Sequence, residues 1–163
     1  RLKLGEGGAE GEDNDILAAT FARTGVSIMG KRMFDMGERM WPEEAPFQTP
    51  VFVVTRQPRT PWERPGGTTF HFVNDGIVAA LGRAREVAGD KDIRIAGGVH
   101  LLREYLAAGL VDEFHLALAP VFFGSGLSLF DRLDLSGTKL EVTRAVSSPL
   151  VTHLFYTVKL PAP

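Results

Sequence analysis

The chain has 163 residues, 44% hydrophobic and 23% charged, a composition that predicts a single globular domain over residues 1–163. A formal net charge of −2 argues against nucleic-acid binding, and no apolar run approaches the roughly 20 residues of a membrane span. The absence of cysteine excludes disulfides, thiolate catalysis and cysteine-based zinc sites, and with no basic, apolar leader visible we expect a cytoplasmic protein.

The first half of the chain reads as alternating helices and strands. Residues 1–13 lack an apolar period and are expected to form a loop. Asn14 or Asp15 then caps a helix that carries Ile16, Leu17 and Phe21 on its apolar face and stops at Gly25. The elements predicted next are a strand over 26–29, a helix over 31–40, a buried strand over 51–54, a proline-rich loop over 57–67 and a strand over 69–73.

The second half continues this pattern and then changes. Asn74 or Asp75 caps a helix that ends at Gly89, with an apolar face of Ile77, Val78, Leu81, Ala84, Val87 and Ala88. A strand over 93–96 and a helix over 99–110 follow, and then come three strands over 112–123, 139–146 and 151–160 with no helix between them. We therefore predict a three-layer α/β fold with a mixed, mainly parallel sheet, extended at one side by antiparallel C-terminal strands.

Two junctions between a strand and a helix have the residues of an anion site. Gly97-Gly98 lets the backbone approach a ligand closely, and the free N–H groups of the following helix suit a pyrophosphate. The alternative is a tight turn without a ligand. At Gly30, the cations Lys31 and Arg32 oppose the dipole of the helix that they begin, an arrangement that a bound anion would explain. The alternative is a solvated basic pair.

A third strand ends at Thr55-Arg56, a hydroxyl and a guanidinium that together suit a phosphate monoester, although such a pair is often plain surface. All three features lie at the carboxyl ends of predicted strands, where ligands bind in open α/β sheets. The sequence lacks the G-x-G-x-x-G fingerprint of ordinary dehydrogenases. We therefore expect one ligand site that combines the three junctions.

Four segments in this order resemble the dihydrofolate reductase-like superfamily: VSIMGKRMF (26–34), VFVVTR (51–56), IAGG (95–98) and DEFHLALAPVFFGSG (112–126). The last segment is most similar to the riboflavin-biosynthesis branch, the C-terminal reductase domain of the bifunctional deaminase-reductase. The resemblance covers the chain from about Asp15 to its end.

The resemblance implies an NADPH-dependent reductase that transfers a hydride to a small molecule, similar to 5-amino-6-(5-phosphoribosylamino)uracil reductase. Thr55 and Arg56 would hold the adenosine 2′-phosphate of NADPH. The dinucleotide would be lined by Gly30, Lys31, Arg32 and Met33, and its pyrophosphate and nicotinamide side by Ala96, Gly97, Gly98, Val99, His100 and Leu101. Similar proteins often pair through their C-terminal strands, and the apolar strand from Phe114 to Phe123 would support a homodimer. A strand buried within a monomer would have the same pattern.

The chain departs from the superfamily in two respects. The superfamily's first strand, which precedes the Gly-Glu loop, has no counterpart here, and no residue matches the acid that protonates folate, because Asp13 and Asp15 read as helix caps. The catalytic residue is therefore unknown. An ordinary dihydrofolate reductase and a non-catalytic NADP(H)-binding protein stay open as alternatives. The histidines lack metal-site spacing, and we expect His115 and His153 to form a structural pair.

Overall fold

The structure is a computed structural model that describes residues 11–160. Backbone packing divides the chain after Leu102 into two compact units, each described by itself below. The elements in chain order are α1 (Glu12–Arg23), β1 (Thr24–Gly30), α2 (Lys31–Glu38), β2 (Val51–Val54), β3 (Trp62–Arg64), β4 (Thr68–Val73), α3 (Gly76–Ala88), β5 (Asp92–Gly97), α4 (Val99–Ala107), β6 (Glu113–Leu118), β7 (Lys139–Ser147) and β8 (Thr152–Lys159).

A mixed five-stranded sheet forms the centre of the first unit, in the order β3-β4-β2-β1-β5. Strand β1 pairs in parallel with β2 and β5, and β2 pairs in parallel with β4. Only β3 runs antiparallel, against β4. The apolar run Val51–Val54 is buried at its first three positions, as a strand covered on both faces requires.

An aromatic cluster packs on this sheet around Phe34 of α2, which is fully buried. The rings of Phe70 and Phe72 meet it edge-on, with centroids 5.2 and 5.1 Å away. Trp41 stacks on Phe70 at 5.1 Å. The ring quadrupoles favour edge-on and offset-stacked pairs, and these pairs also bury apolar area. The cluster therefore fixes α2 on the strands.

Helix α3 differs from its prediction in which side chains it buries. Its buried residues are Ala80, Ala84 and Ala88, four positions apart, whereas Val78 is 70% exposed. The predicted face, which included Val78 and Val87, was therefore wrong in part. Small side chains let the helix approach β1 closely, since a Cβ built at Gly25 would lie 2.6 Å from the carbonyl oxygen of Ala88.

In the second unit, β6, β8 and β7 form an antiparallel sheet in that order. We expected these strands to extend the mainly parallel sheet, but within residues 11–160 they form a separate sheet, so that part of the prediction was wrong. Strand β6 also ends at Leu118, five residues early. The predicted pair of histidines is confirmed: His115 Nε2 lies 2.7 Å from His153 Nδ1. The α/β class with a mainly parallel sheet and antiparallel C-terminal strands is confirmed.

Further differences concern where elements begin and end. Helices α2 and α4 end at Glu38 and Ala107, before their predicted ends at 40 and 110. Helix α1 begins at Glu12, so Asn14 and Asp15 lie in its first turn and do not cap it. Strand β3 falls inside the segment expected to be a proline-rich loop. Residues 1–10 of the predicted N-terminal loop lie outside the described residues. No helix within residues 11–160 is long and apolar enough to cross a membrane.

Candidate functional site

The junctions at Gly30 and at Gly97-Gly98 lie side by side. In the sheet register, Met29 is opposite Gly97 and Gly30 is opposite Val54, so β1, β5 and β2 end at the same edge. A Cβ built at Gly30 would lie 3.8 Å from the amide nitrogen of Gly98 and 3.7 Å from the Cβ of Leu101. The parallel strands therefore bring two of the three predicted motifs into direct proximity.

Gly97 is a position that only glycine fits well. Its φ is +117°, and a Cβ there would lie 3.2 Å from the sulfur of Met33. The peptide that joins Gly97 to Gly98 is cis. Gly98 accepts a hydrogen bond from the N–H of Leu102 at 3.1 Å, which begins the ladder of α4. The N–H groups in the first turn of α4, from Val99 to Leu101, consequently have no partner within the helix.

The two cations at the start of α2 differ in availability. Lys31 is half-buried and its ammonium pairs with the carboxylate of Asp35, one helical turn away. Arg32 is exposed and has no ion-pair partner in the part of the chain that the structure describes. Arg32 is thus the cation of this pair that an anion can engage without first displacing a carboxylate.

Thr55 and Arg56 continue the same edge of the sheet. Thr55 is buried, and its hydroxyl accepts a hydrogen bond from the N–H of Gln57 at 3.0 Å. Its carbonyl accepts from the side-chain amide of Asn74, also at 3.0 Å, while its N–H donates to Val73. Arg56 is exposed, with no ion-pair partner among residues 11–160. The backbone before Arg56 is therefore fixed, and its guanidinium is available.

The remaining predicted residues differ in their surroundings. Ala96 packs against the aromatic cluster, and Leu101 is buried beside Gly30. Val99 is half-buried and His100 is exposed. Of the predicted set, the backbone groups of the two junctions and the exposed side chains of Arg32, Arg56 and His100 are the ones that a ligand can reach.

Burial also changes the pKa of one ionisable side chain on β5. Desolvation lowers the pKa of Arg94 on β5, whose guanidinium lies over the ring of Phe21 at 5.0 Å from the centroid. An arginine stays charged in spite of such a change. Because the ring accounts for its orientation, Arg94 connects α1 to the sheet.

Two residues near the site were not predicted from the sequence. Arg59 lies in the loop after Arg56, and one of its nitrogens is 2.7 Å from a carboxylate oxygen of Glu38 on α2. The two residues are 21 positions apart in the chain, so no local sequence pattern predicts their contact. Asn74 was expected only as a helix cap, yet it binds the carbonyl of Thr55. By contrast, the spacing of Lys31 and Asp35, four residues apart on a predicted helix, was a signal for their pairing.

The geometry suits an extended anionic ligand. Glycines permit close approach at two strand ends, two helices begin there, and two arginines are free to bind phosphate. Within residues 11–160, no group of three or more histidine, aspartate or glutamate side chains could hold a metal ion. The arrangement is that of an α/β protein whose sheet has, at its carboxyl edge, a candidate site suited to phosphate.

The fold is that of the dihydrofolate reductase-like proteins. Residues 4–153 match the family model of the RibD C-terminal domain, and the chain belongs to that family.

One curated relative shares part of the sequence, and solved structures share the fold. The chain is 36% identical over 86 residues to the uncharacterized protein YyaP of Bacillus subtilis strain 168, a match that covers 52% of this chain and 45% of YyaP. A putative riboflavin biosynthesis protein from Shewanella sp. PV-4 superposes with a TM-score of 0.74 at 21% identity, over 98% of this chain and 88% of the other. A pyrimidine reductase-like protein from Corynebacterium diphtheriae has a TM-score of 0.58 at 17% identity, over 93% and 82% of the two chains.

Proposed function

We propose that this protein is an NADPH-dependent reductase that transfers a hydride to a small heterocyclic or sugar-derived substrate of the kind found in riboflavin biosynthesis. Membership of the RibD C-terminal domain family supports a reductase of this pathway type. The observation that carries the proposal is the adjacency of Gly30 and Gly98, at the same sheet edge as the strand that leads to Arg56. A dinucleotide with two phosphate positions needs such a composite site.

The residues fit this cofactor in a definite way. Gly97, Gly98 and the first turn of α4 would hold the pyrophosphate, because a Cβ at Gly97 would fill the space beside Met33. Gly30 and Arg32 would line the neighbouring part of the dinucleotide, and Lys31 would contribute charge there while paired with Asp35. Thr55 and Arg56 would hold the adenosine 2′-phosphate. The bound cofactor would supply the hydride.

The contribution of the protein to the reaction is binding and orientation. Holding a donor and an acceptor in one geometry replaces a bimolecular encounter by an effectively unimolecular step, which can lower the barrier by several kcal/mol. We assign no side chain as the proton donor. Small-molecule specificity would then come from the groups that line the substrate side. His100, which is exposed next to the glycine pair, would line the nicotinamide side of the cofactor.

Calorimetric titration with NADPH and NADH tests the cofactor assignment. In Arg56→Ala, we expect NADPH to bind roughly 10- to 100-fold more weakly and NADH to bind almost unchanged, because only NADPH offers a phosphate to the guanidinium. The matched control is Arg85→Ala, which removes an exposed arginine of α3, away from the proposed site. It should bind both nucleotides as the parent does. If the parent chain binds neither nucleotide, the reductase assignment is wrong.

Turnover separates the alternatives once binding is established. NADPH oxidation that depends on riboflavin-pathway pyrimidines would support the proposed reaction. Oxidation that depends on dihydrofolate, together with tight methotrexate binding, would indicate a folate reductase. Tight NADPH binding without turnover of any substrate in such a screen would indicate a binding protein without catalytic function.

We further propose that the protein is a cytoplasmic homodimer that pairs through its second unit. The segment after β6 exposes the side chains of Val121, Phe122, Phe123 and Leu127, with Phe122 fully exposed. Two exposed phenylalanines alone present roughly 300–500 Å² of apolar area, which is as large as the largest patch on a typical monomer. A second copy that covers this segment would bring the buried area towards the roughly 800 Å² per partner of a stable dimer.

A further inference from the structure

The guanidinium of Arg59 is held by one carboxylate and three rings. Its Nη2 lies 2.7 Å from Oε1 of Glu38 on α2. The Cζ of Arg59 lies 5.3 Å from the ring centroid of Phe34, 5.3 Å from that of Trp62 and 5.0 Å from that of Phe72. Phe34 and Phe72 are both buried, so the rings form a fixed platform. The ion pair and the cation–π contacts together orient the guanidinium more narrowly than either would alone.

The loop that carries Arg56 is consequently fixed at both ends. At its start, the backbone of Thr55 is bound on both sides, by Val73 and by the amide of Asn74. Arg59 fixes the far end of this loop. It is three residues beyond Arg56, so the Cα atoms of the two arginines are at most roughly 11 Å apart. Pro58 further limits the backbone between the two ends. Only Arg56 and Gln57 lie between Thr55 and Pro58.

We propose that the pairing of Arg59 with Glu38 positions Arg56, and thereby sets the preference of the site for nucleotides that carry a 2′-phosphate. The inference rests on the proposed function, because it concerns the same cofactor site. Glu38 belongs to α2, the helix that begins directly after Gly30, so the pair also connects the loop that carries Arg56 to the Gly30 junction of the site. Arg59 is a positioning residue, since its own guanidinium is already engaged.

The sign of one substitution separates this role from simple electrostatics. Glu38→Gln removes a negative charge from the neighbourhood of the proposed phosphate. If charge alone mattered, an anionic ligand would bind more tightly to this variant. If the carboxylate positions the loop through Arg59, the same ligand binds more weakly, although the site has become more positive.

The experiment uses adenosine 2′,5′-bisphosphate and AMP as probes, titrated calorimetrically into the full chain. We expect Glu38→Gln to bind the bisphosphate about fivefold more weakly and AMP equally well, a loss in the range of one ion pair. Arg59→Met, which keeps the length of the side chain without its charge, should act in the same direction. The control is Glu141→Gln, which removes the carboxylate of another exposed pair, 3.7 Å from Lys159, and should change neither affinity.

A double-mutant cycle shows whether the effect passes through Arg56. In an Arg56→Ala background, Glu38→Gln should no longer weaken binding of the bisphosphate, because the group that it positions is absent. Amide hydrogen exchange of residues 56–60 gives a readout without ligand and should be faster in Glu38→Gln than in the parent chain. Additive effects in the cycle, or tighter binding of the bisphosphate by Glu38→Gln, would overturn the inference.

The outcomes also distinguish this inference from the proposed function. If the parent chain binds the two probes equally, the NADPH assignment and the positioning role both fail. If the parent chain prefers the bisphosphate and Glu38→Gln keeps the whole preference, the cofactor assignment stands and only the positioning role of Arg59 is wrong.

Discussion

The two units of the chain bury their apolar residues to different degrees. In the first unit, five of the seven residues of β1 and three of the four in β2 are buried, and the aromatic cluster covers the sheet around Phe34. In the second unit, eight of the nine residues of β7 are exposed, Val142 among them. The first unit has a complete core, whereas the second carries strands whose side chains remain open to solvent.

This difference indicates where each kind of function belongs. A rigid, filled core holds the ends of three strands in fixed register, which a ligand site of converging backbone groups requires. An antiparallel sheet can stay solvated on one face, but exposed valines on such a sheet and exposed phenylalanines in the segment after β6 are typical of a surface that another chain covers. The contrast therefore supports the proposals that the first unit binds the ligand and that the second unit self-associates.

The largest expected effect comes from the centre of the first core. Phe34→Ala should lower the free energy of unfolding by about 3–5 kcal/mol, because it leaves a cavity among aromatic rings that cannot close around it. The matched change in the second unit, Phe122→Ala, should alter it by less than about 0.5 kcal/mol in dilute protein. Urea unfolding of the two variants measures both. Equal losses would show that the contrast between the units is wrong.

A smaller effect is expected from the one fully buried aromatic residue of the second unit, Tyr105. Burial, with a lesser contribution from Glu104, raises the pKa of Tyr105 from 10.0 to about 12. The unfolded chain thus loses this proton at lower pH than the folded chain. The stabilisation is complete below pH 10 and is lost as the pH rises towards 12, a loss of roughly 2–3 kcal/mol.

Urea unfolding between pH 8 and pH 12, compared with Tyr105→Phe, isolates this contribution. We expect the variant to lose less stability than the parent chain over the upper part of that range, whatever the hydroxyl contributes at neutral pH. Parallel losses in the two proteins would mean that the phenol is hydrated in the folded state.

The smallest change in fold stability, and the clearest change in assembly, is expected from the exposed segment after β6. Phe122→Ser combined with Phe123→Ser should convert a dimer into a monomer, measured by light scattering of the eluting protein, without altering NADPH binding. Each ring removed is open to solvent in the single chain. A parent chain that elutes as a monomer would contradict the dimer proposal at once.

The sequence predicted the parts of the fold that depend on local pattern. The apolar run of β2 and the glycine pair at the end of β5 were recognised from the local sequence pattern. Parallel strands then necessarily bring their carboxyl ends together. The convergence of Gly30 with Gly98 followed from that rule. The fold class followed from the order of the predicted elements, whereas the family was predicted from the resemblance of four segments.

What the sequence did not predict depends on distant partners. Strand β3 exists because Trp62 pairs with Phe70 across a hairpin, a contact that outweighs the neighbouring prolines. The alanine stripe of α3 reflects how near that helix lies to β1, which hydrophobicity does not encode. Arg59 and Glu38 meet across 21 positions. Each miss is a tertiary contact that overrides a local preference.

The positions of the tryptophans and tyrosines determine which unit each spectroscopic signal reports. Both tryptophans of the chain, Trp41 and Trp62, lie in the first unit, and both tyrosines, Tyr105 and Tyr156, lie in the second. Tryptophan emission therefore follows the unfolding of one unit and tyrosine absorbance follows that of the other, with no label added. Denaturation curves that coincide would report one cooperative domain over the chain, and curves that separate would report two.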